Sequence, residues 1–265
     1  MKESMKIVRE HYNQSVEYEW SRIDGRPEFL LTCRMLDRYV KSGDKVLDIG
    51  GGPGRYTFYL AERGCELTLF DLSEENIKFA KNRSNDLNLP INAVCGDARE
   101  VDKHVTGQFD HILLMGPLYH LLEESDRVTA INAALRLLKP GGLLFATFIS
   151  MSGGLVFMLR EMPDQFINPH EERFLTPLVE GKSFACSAFT EAFFINQNEL
   201  LPFMEQFKLE KLHLFGQEGV LAPNEENFIT QTPEVKEALL DISEKLYEKQ
   251  EYLSWSEHLV YVGRK

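Results

Sequence analysis

The sequence is short of basic residues and of long apolar runs, and each shortage excludes a class of protein. Lysine and arginine total 29 against 41 aspartate and glutamate residues, a formal net charge of −12 over 265 residues. A long nucleic-acid duplex is bound through basic surface, so we expect no duplex partner. No apolar stretch approaches the length of a membrane span and no signal peptide is recognisable. We therefore expect a soluble, cytoplasmic protein with no membrane partner.

Cysteine pairs and metal-binding motifs are also lacking. The four cysteines are far apart and form no C-x-x-C: Cys33, Cys65, Cys95 and Cys186. They are predicted to be free thiols, mostly buried in core elements. No H-E-x-x-H and no carboxylate cluster with metal-ligand spacing occurs, so the sequence predicts no metal site.

What the chain does have is a glycine-rich turn at residues 45–56, KVLDIGGGPGRY. Apolar residues suited to a buried strand precede five residues of glycine and proline, and a helical segment follows. A strand, a glycine turn and a helix form the geometry of a nucleotide-type site, because a ligand can approach the bare backbone and the free N–H groups of the helix. A tight loop without a ligand is the alternative.

Two common nucleotide motifs do not fit this turn. The dinucleotide fingerprint ends in a helix-packing glycine, whose place is taken by Arg55, and a P-loop needs a Lys-Ser or Lys-Thr that is missing. Asp48 lies just before the turn, and its carboxylate would repel a pyrophosphate. A ligand that carries positive charge suits the turn better.

Strands and helices alternate through residues 45–149, which predicts an α/β fold with a doubly wound, Rossmann-like parallel sheet. Predicted strands cover 45–49, 66–71, 91–95, 109–115 and 143–149. Asp71 ends the second strand about twenty residues after the first glycine, a spacing that suits a carboxylate bound to ribose hydroxyls. An acid at this position can also simply neighbour a helix N-cap.

The stretch V-L-D-I-G-G-G-P-G-R resembles the first motif of the class I S-adenosylmethionine-dependent methyltransferases of the small-molecule type. K-P-G-G-L-L before the fifth strand and the ending S-E-H-L-V-Y-V-G-R-K resemble the same family. The resemblance implies a seven-stranded sheet of order 3-2-1-4-5-7-6 with strand 7 antiparallel. It also implies methyl transfer from S-adenosyl-L-methionine to an N, O or S nucleophile of a small molecule, with S-adenosyl-L-homocysteine as the product.

The resemblance implies a set of cofactor contacts as well. Asp48 and the glycine turn would hold the methionine end, Asp71 the ribose, and Asp97 with the N–H of Ala98 the adenine. The full set of expected cofactor residues is Asp48, Gly50, Gly51, Gly52, Gly54, Asp71, Leu72, Asp97, Ala98 and Met115.

The acceptor side is expected from several segments. Tyr119 and His120 follow the fourth strand and are the candidate catalytic residues, with His120 either a general base or only a structural hydrogen-bond partner. The substrate-binding candidates are Tyr12, Tyr18, Trp20, Arg26, Glu191 and His258. The N-terminal aromatics among them either line the site or pack helices onto the sheet. Glu191 stands where the family often has a histidine, which puts a histidine role there in doubt.

Four regions are predicted: an N-terminal helical lid segment (1–44), the cofactor-binding core (45–149), an inserted cap (150–195) and the C-terminal part of the core sheet (196–265). The insert is rich in methionine, phenylalanine and proline, which suits either a lid or a homodimer interface. Three other functions remain open: an RNA- or protein-directed methyltransferase, a non-catalytic S-adenosylmethionine-binding module, and an NAD-dependent oxidoreductase, which the glycine pattern disfavours.

Overall fold

The computed structural model describes residues 2–265, and within this range nine strands form one mixed sheet. The strands are β1 Lys45–Ile49, β2 Glu66–Asp71, β3 Asn92–Cys95, β4 Phe109–Leu114, β5 Leu138–Ser150, β6 Phe184–Ser187, β7 Glu191–Ile195, β8 Glu210–Gly216 and β9 His258–Arg264. The α/β class predicted from the alternating pattern is confirmed.

Seven of these strands have the predicted order, β3-β2-β1-β4-β5-β9-β8. The first five pair in parallel, while β9 is antiparallel to both β5 and β8. Counted along the core alone, this is the order 3-2-1-4-5-7-6 with an antiparallel seventh strand. The carboxyl ends of β1, β2 and β4 therefore meet at one edge, where α/β sheets bind ligands.

Helices cover both faces of the sheet. They are α1 Glu3–Gln14, α2 Val16–Arg22, α3 Pro27–Tyr39, α4 Arg55–Ala61, α5 Glu74–Leu87, α6 Val101–His104, α7 Glu124–Leu137, α8 Met151–Glu161, α9 Glu172–Val179, α10 Gln197–Glu205, α11 Glu225–Ile229, α12 Pro233–Leu246 and α13 Gln250–Leu253. Ser73 is the N-cap of α5, since its Oγ accepts the N–H of Asn76 at 3.1 Å.

Alternate residues of the central strands belong to two separate cores. In β4, Ile112 and Leu114 pack with α6, α7 and α10, whereas Leu113 packs with α3, α4 and α12. This period of two is the strand geometry that sends successive side chains to opposite faces. Because both faces are covered, the central strands are mostly apolar, and most of the polar groups that line the cavity lie at or beyond the strand ends.

The insert adds two strands that the seven-strand expectation did not include. β7 pairs in parallel with the end of β5, at Ile149 with Phe194 and Ser150 with Ile195, and β6 pairs antiparallel to β7. Since β9 occupies the other edge of β5, β7 lies on the β4 edge, just beyond the point where β4 stops. The hairpin covers backbone groups that the longer β5 would otherwise leave unpaired.

The insert has its own small apolar core. Its buried members are Ile149, Met151, Met158, Phe174, Ala192 and Phe194, and Tyr119 packs against them. The strand β7, over residues 191–195, returns the chain of the insert to the sheet. The insert is thus packed directly behind the residues that follow β4.

Two other expectations can be compared with the structure. All four cysteines are free; Cys33 and Cys65 are buried, but Cys95 is exposed because it ends the edge strand β3. The prediction of burial was therefore wrong for Cys95. Among the helices within residues 2–265, none is long and apolar enough to cross a bilayer.

Candidate functional site

A cavity opens at the carboxyl ends of β1, β2 and β4, under the three N-terminal helices. Its empty volume is about 1060 Å³ with the open mouth included. The glycine turn, the ends of β2 and β3 and the segment after β4 form one side, while α1–α3 and residues next to β8 and β9 form the other. The site therefore has a wall of strand ends facing a wall of helical side chains.

The glycines of the turn are required by space as well as by conformation. A Cβ on Gly51 would lie 2.4 Å from Asp48 Oδ2, and one on Gly50, whose φ is +72°, would lie 2.4 Å from Pro117 Cδ. Gly50, Gly51 and Gly52 all line the cavity. Backbone is thus exposed to a ligand here because no side chain fits.

Two of the expected cofactor residues lie behind the turn and outside the cavity lining. Asp48 is fully buried, Thr57 Oγ1 donates to its Oδ2 at 2.7 Å, and its Oδ1 has no hydrogen-bond partner within residues 2–265. Burial raises the pKa of Asp48 to about 7. Gly54 is the N-cap of α4 and packs against Phe58. Asp48 therefore lies directly beneath Gly51 and does not reach the cavity surface.

Asp71 links the end of β2 to the glycine turn. Its Oδ2 accepts the N–H of Gly52 at 2.9 Å, and its Oδ1 accepts from Ser73 N at 2.8 Å and Asn76 Nδ2 at 3.1 Å. Burial raises the pKa of Asp71, although these three donors oppose the shift. Asp71 and Leu72 both line the cavity. The carboxylate is held in one position there.

Asp97, Ala98 and Met115 also line the cavity. Asp97 is paired with Arg99, a residue that sequence reasoning did not single out. Asp97 Oδ1 accepts hydrogen bonds from the backbone N–H and from Nε of Arg99, each at 3.0 Å, and Asp97 Oδ2 accepts one from Arg99 Nη2. Burial alone would raise the pKa of Asp97, but the Arg99 contacts hold it below its usual value. The acid remains ionised at the cavity edge.

Tyr119 and His120 both face the cavity, and Tyr12 from α1 joins them. Tyr12 Oη lies 2.8 Å from His120 Nε2, and His120 Nδ1 lies 2.9 Å from the backbone oxygen of Glu191. A carbonyl only accepts, so Nδ1 carries the proton and Nε2 accepts from the Tyr12 hydroxyl. Burial lowers the pKa of His120 to about 4, so the ring is neutral near pH 7.

An ionic cluster that sequence reasoning missed forms the opposite side of the cavity. Arg22 donates to Glu28 at 2.8 Å and to Glu19 at 3.3 Å, and His258 Nδ1 donates to Glu218 Oε1 at 2.5 Å. Burial alone would lower the pKa of His258, but the Glu218 carboxylate outweighs it and raises the pKa to about 9. Charges of opposite sign thus alternate along this wall.

Three members of the cluster have the composition of a metal site. Ligand atoms of Glu28, Glu218 and His258 all lie within 4.8 Å of one another. The three residues are separated by up to 230 positions, so no sequence spacing could have revealed them. The carboxylates of Glu28 and Glu218 already accept hydrogen bonds from Arg22 and from His258.

Two polar side chains that line the cavity were not predicted from the sequence. Gln217 Nε2 donates to Tyr56 Oη at 3.0 Å, which leaves Gln217 Oε1 without a partner in the described chain. Thr147 Oγ1 is likewise unpartnered among residues 2–265, and both residues are almost fully buried. Buried polar atoms of this kind usually have a partner, so these two suit contact with a ligand.

The remaining predicted acceptor contacts lie elsewhere. Tyr18 is 62% exposed, Trp20 is stacked by Arg55 and Arg83, and Arg26 pairs with two glutamates of α11. Glu191 takes part only through its backbone oxygen. The contacts of Trp20 are therefore those of the packing alternative, and Arg26 likewise ties an N-terminal helix to the rest of the chain.

Comparison with known proteins finds a family model that matches part of this chain. Residues 46–142 match a family model described as a methyltransferase domain. The ubiquinone biosynthesis O-methyltransferase of Chromobacterium violaceum is 29% identical over 162 residues, which cover 57% of this chain and 67% of the relative. The enzyme of the same name from Xanthomonas oryzae pv. oryzae is 31% identical over 137 residues, covering 49% and 56%. The chain thus spans about half to two thirds of the length of these curated relatives.

A solved structure extends the match to the whole fold. The 1,6-didemethyltoxoflavin-N1-methyltransferase of Burkholderia thailandensis, with bound 1,6-didemethyltoxoflavin and S-adenosylhomocysteine, has a TM-score of 0.60 at 16% identity and covers 98% of this chain and 88% of its own. Fold and site define a Rossmann-like methyltransferase core. The domain match over residues 46–142 and the fold shared with the solved structure support a class I S-adenosylmethionine-dependent methyltransferase, a family whose cofactor is S-adenosylmethionine.

Proposed function

We propose that this protein transfers the methyl group of S-adenosylmethionine to a small molecule bound between the N-terminal helices and the segment after β4. One observation carries the proposal: a single cavity joins the strand-end carboxylates Asp71 and Asp97 to a chamber lined by Tyr12, His120 and His258. The region with the two carboxylates suits a nucleoside, and the chamber offers aromatic and hydrogen-bonding groups to an acceptor.

At the cofactor end, we assign the ribose hydroxyls to Asp71 and the adenine amino group to Asp97, with the Ala98 N–H at the ring. The fixed position of the Asp71 carboxylate supports its assignment. Asp97 would accept from adenine while still paired with Arg99, because each carboxylate oxygen has two lone pairs. The methionine end would lie against the bare backbone of the glycine turn. Asp48 would act there only through the turn that it supports.

At the acceptor end, α1–α3 line the cavity, and the β7 strand of the insert lies just beyond the end of β4. The curated relatives are named for methylation in ubiquinone biosynthesis, and the Burkholderia structure holds a small heterocycle. These facts favour a small acceptor over RNA or protein. A homodimer through residues 150–195, a cytoplasmic location and the lack of a duplex partner stay predictions.

When bound, S-adenosylmethionine supplies a methyl group that its sulfonium has already activated. The protein's own contribution is to align the acceptor in line with that methyl and to exclude water. Such alignment contributes up to roughly 7–11 kcal/mol in well-oriented systems. Tyr119 and His120 lie on the wall where the acceptor would meet the methyl, and Tyr119 is held by the apolar core of the insert.

The test is a methyl-transfer screen against a metabolite library, with release of S-adenosylhomocysteine as the readout. Wild type is compared with Asp71→Asn and with Asp86→Asn, a control at an exposed acid of α5. We expect turnover on a small acceptor that only the Asp71 variant loses. Tight cofactor binding without turnover on any acceptor would favour a non-catalytic binding module and refute the proposal.

A further inference from the structure

We infer that Tyr12 and His120 form a proton relay for an acceptor hydroxyl, so that the protein is an O-methyltransferase. The inference rests on the function proposed above and narrows its acceptor class. The acceptor hydroxyl would donate its proton to Tyr12 Oη while the Tyr12 proton moves to His120 Nε2. With this relay, α1 takes part in catalysis as well as covering the cavity.

The direction of the relay follows from the backbone carbonyl of Glu191. That oxygen lies 2.9 Å from His120 Nδ1 and accepts a proton only, which fixes the tautomer with a free electron pair on Nε2. Glu191 begins β7, which is held by pairing with β5 and β6. The insert therefore sets the protonation pattern of a residue 71 positions earlier in the chain.

Tyr12 is placed to connect His120 Nε2 with the cavity. Its hydroxyl lies 2.8 Å from Nε2, and this is its single hydrogen bond within the described residues. Burial raises the pKa of Tyr12 well above its ordinary value, so the group keeps its proton and donates it to His120. The lone pairs of the phenol oxygen remain open to a donor in the cavity that Tyr12 lines.

The step balances in atoms and charge. A bond forms between the acceptor oxygen and the methyl carbon, the bond from methyl carbon to sulfur breaks, and sulfur keeps the electron pair. The hydroxyl proton passes to Tyr12, whose own proton passes to His120. The positive charge of the sulfonium ends on the imidazolium. With a pKa of about 4, His120 is still basic enough to take this proton, because a hydroxyl oxygen that is gaining a methyl group is a far stronger acid than an imidazolium.

This arrangement favours oxygen over nitrogen or sulfur. A neutral amine and a thiolate attack without prior loss of a proton, so a base contributes little to their transfer. A hydroxyl is a poor nucleophile until its proton leaves, and general-base catalysis is worth about 10²–10⁴-fold for such groups. A buried, neutral histidine with one free nitrogen and a tyrosine that faces the cavity match the need of a hydroxyl.

The first test reads the tautomer directly and needs no acceptor. Two-dimensional ¹⁵N spectra of histidine-labelled protein near pH 7 should show one ring with a protonated Nδ1 and a bare Nε2. That ring is assigned by its loss in His120→Gln, and Tyr12→Phe should shift its Nε2 resonance, while Tyr18→Phe on the exposed face of α2 should not. A protonated Nε2, or an imidazolium at pH 7, would overturn the relay.

The second test uses the acceptors found in the screen, grouped as hydroxyl, amine and thiol compounds. Tyr12→Phe should lower kcat on a hydroxyl acceptor about 100-fold or more, with the affinity for S-adenosylmethionine and the Tm close to wild type. Tyr18→Phe serves as the matched control at full activity. Undiminished hydroxyl methylation by Tyr12→Phe would overturn the relay. Turnover on amines or thiols alone would overturn the acceptor class yet leave the proposed function standing, and no turnover on any class would overturn both.

Discussion

The pair formed by Glu218 and His258 should make the stability of this protein depend on pH, and Glu218→Gln should remove most of that dependence. His258 Nδ1 donates to Glu218 Oε1 at 2.5 Å, and the backbone N–H of His258 donates to Oε2 at 3.0 Å. The carboxylate raises the pKa of His258 from 6.5 to about 9. The glutamine keeps the shape and one acceptor but removes the charge.

The sign follows from the direction of the shift. Because the folded pKa lies above the unfolded one, the stabilisation is fully present below pH 6.5 and is lost as pH rises through about 9. The difference between the folded and unfolded pKa values of His258 corresponds to roughly 3 kcal/mol of folding stability at about 1.4 kcal/mol per pKa unit. Roughly 2 kcal/mol of this stabilisation is lost between pH 7.5 and 9.5. Asp48 and Glu257, whose pKa values are raised to about 7, have largely finished titrating below this window.

The assay is urea unfolding of wild type and Glu218→Gln at pH 7.5 and 9.5. We expect wild type to lose about 2 kcal/mol more than the variant across this interval. Glu251→Gln, at an exposed position of α13, should follow wild type. An equal loss in wild type and Glu218→Gln would refute the reasoning, because it would mean that His258 is not held protonated by this carboxylate.

Three further predictions concern the cofactor site and the insert. Asp71→Asn should weaken S-adenosylmethionine binding about 10- to 100-fold by calorimetry, since hydrogen bonds to a charged acceptor are worth about 1.5–3 kcal/mol; unchanged affinity would rule out the ribose assignment. Gly51→Ala should lower the free energy of unfolding by about 1–3 kcal/mol and impair cofactor binding, because its Cβ would meet Asp48 Oδ2 at 2.4 Å; a wild-type Tm would contradict this. Phe174→Ala should destabilise the insert by about 3–5 kcal/mol, seen as faster proteolysis within residues 150–195 at unchanged cofactor affinity. Proteolysis of the variant at the wild-type rate would contradict the role of Phe174 in the apolar core of the insert.

Much of the core could be predicted because its signals are local. The apolar run of β1, the glycine turn and the start of α4 are adjacent in the chain, and each restricts the backbone on its own. Asp71 follows from the same logic, since parallel strands bring their carboxyl ends to one edge, whereas Asp97 came from the family resemblance. The order of the seven core strands came from family resemblance, and the two strands of the insert fell outside that resemblance.

The N-terminal aromatics show where the sequence was insufficient. Tyr12, Tyr18 and Trp20 are similar in kind and close together, yet only Tyr12 lines the cavity. Ser15 separates α1 from α2, and on α2 the side chains that line the cavity are those of Glu19 and Arg22, while Tyr18 and Trp20 lie outside the lining. Helical periodicity identifies the faces of each helix, but the angle between two helices depends on what they pack against.

By itself the sequence determined the cofactor half of this protein: the glycine turn, the acids at the strand ends, and a charge pattern unsuited to a pyrophosphate. The residues proposed for the acceptor half come together only in the tertiary structure. It brought Glu28, Glu218 and His258 within reach of one another and placed the Glu191 carbonyl on His120. The physical reason is separation along the chain. Short-range conformational preferences act within one strand, turn and helix, whereas these contacts exist only after distant segments have packed into one core.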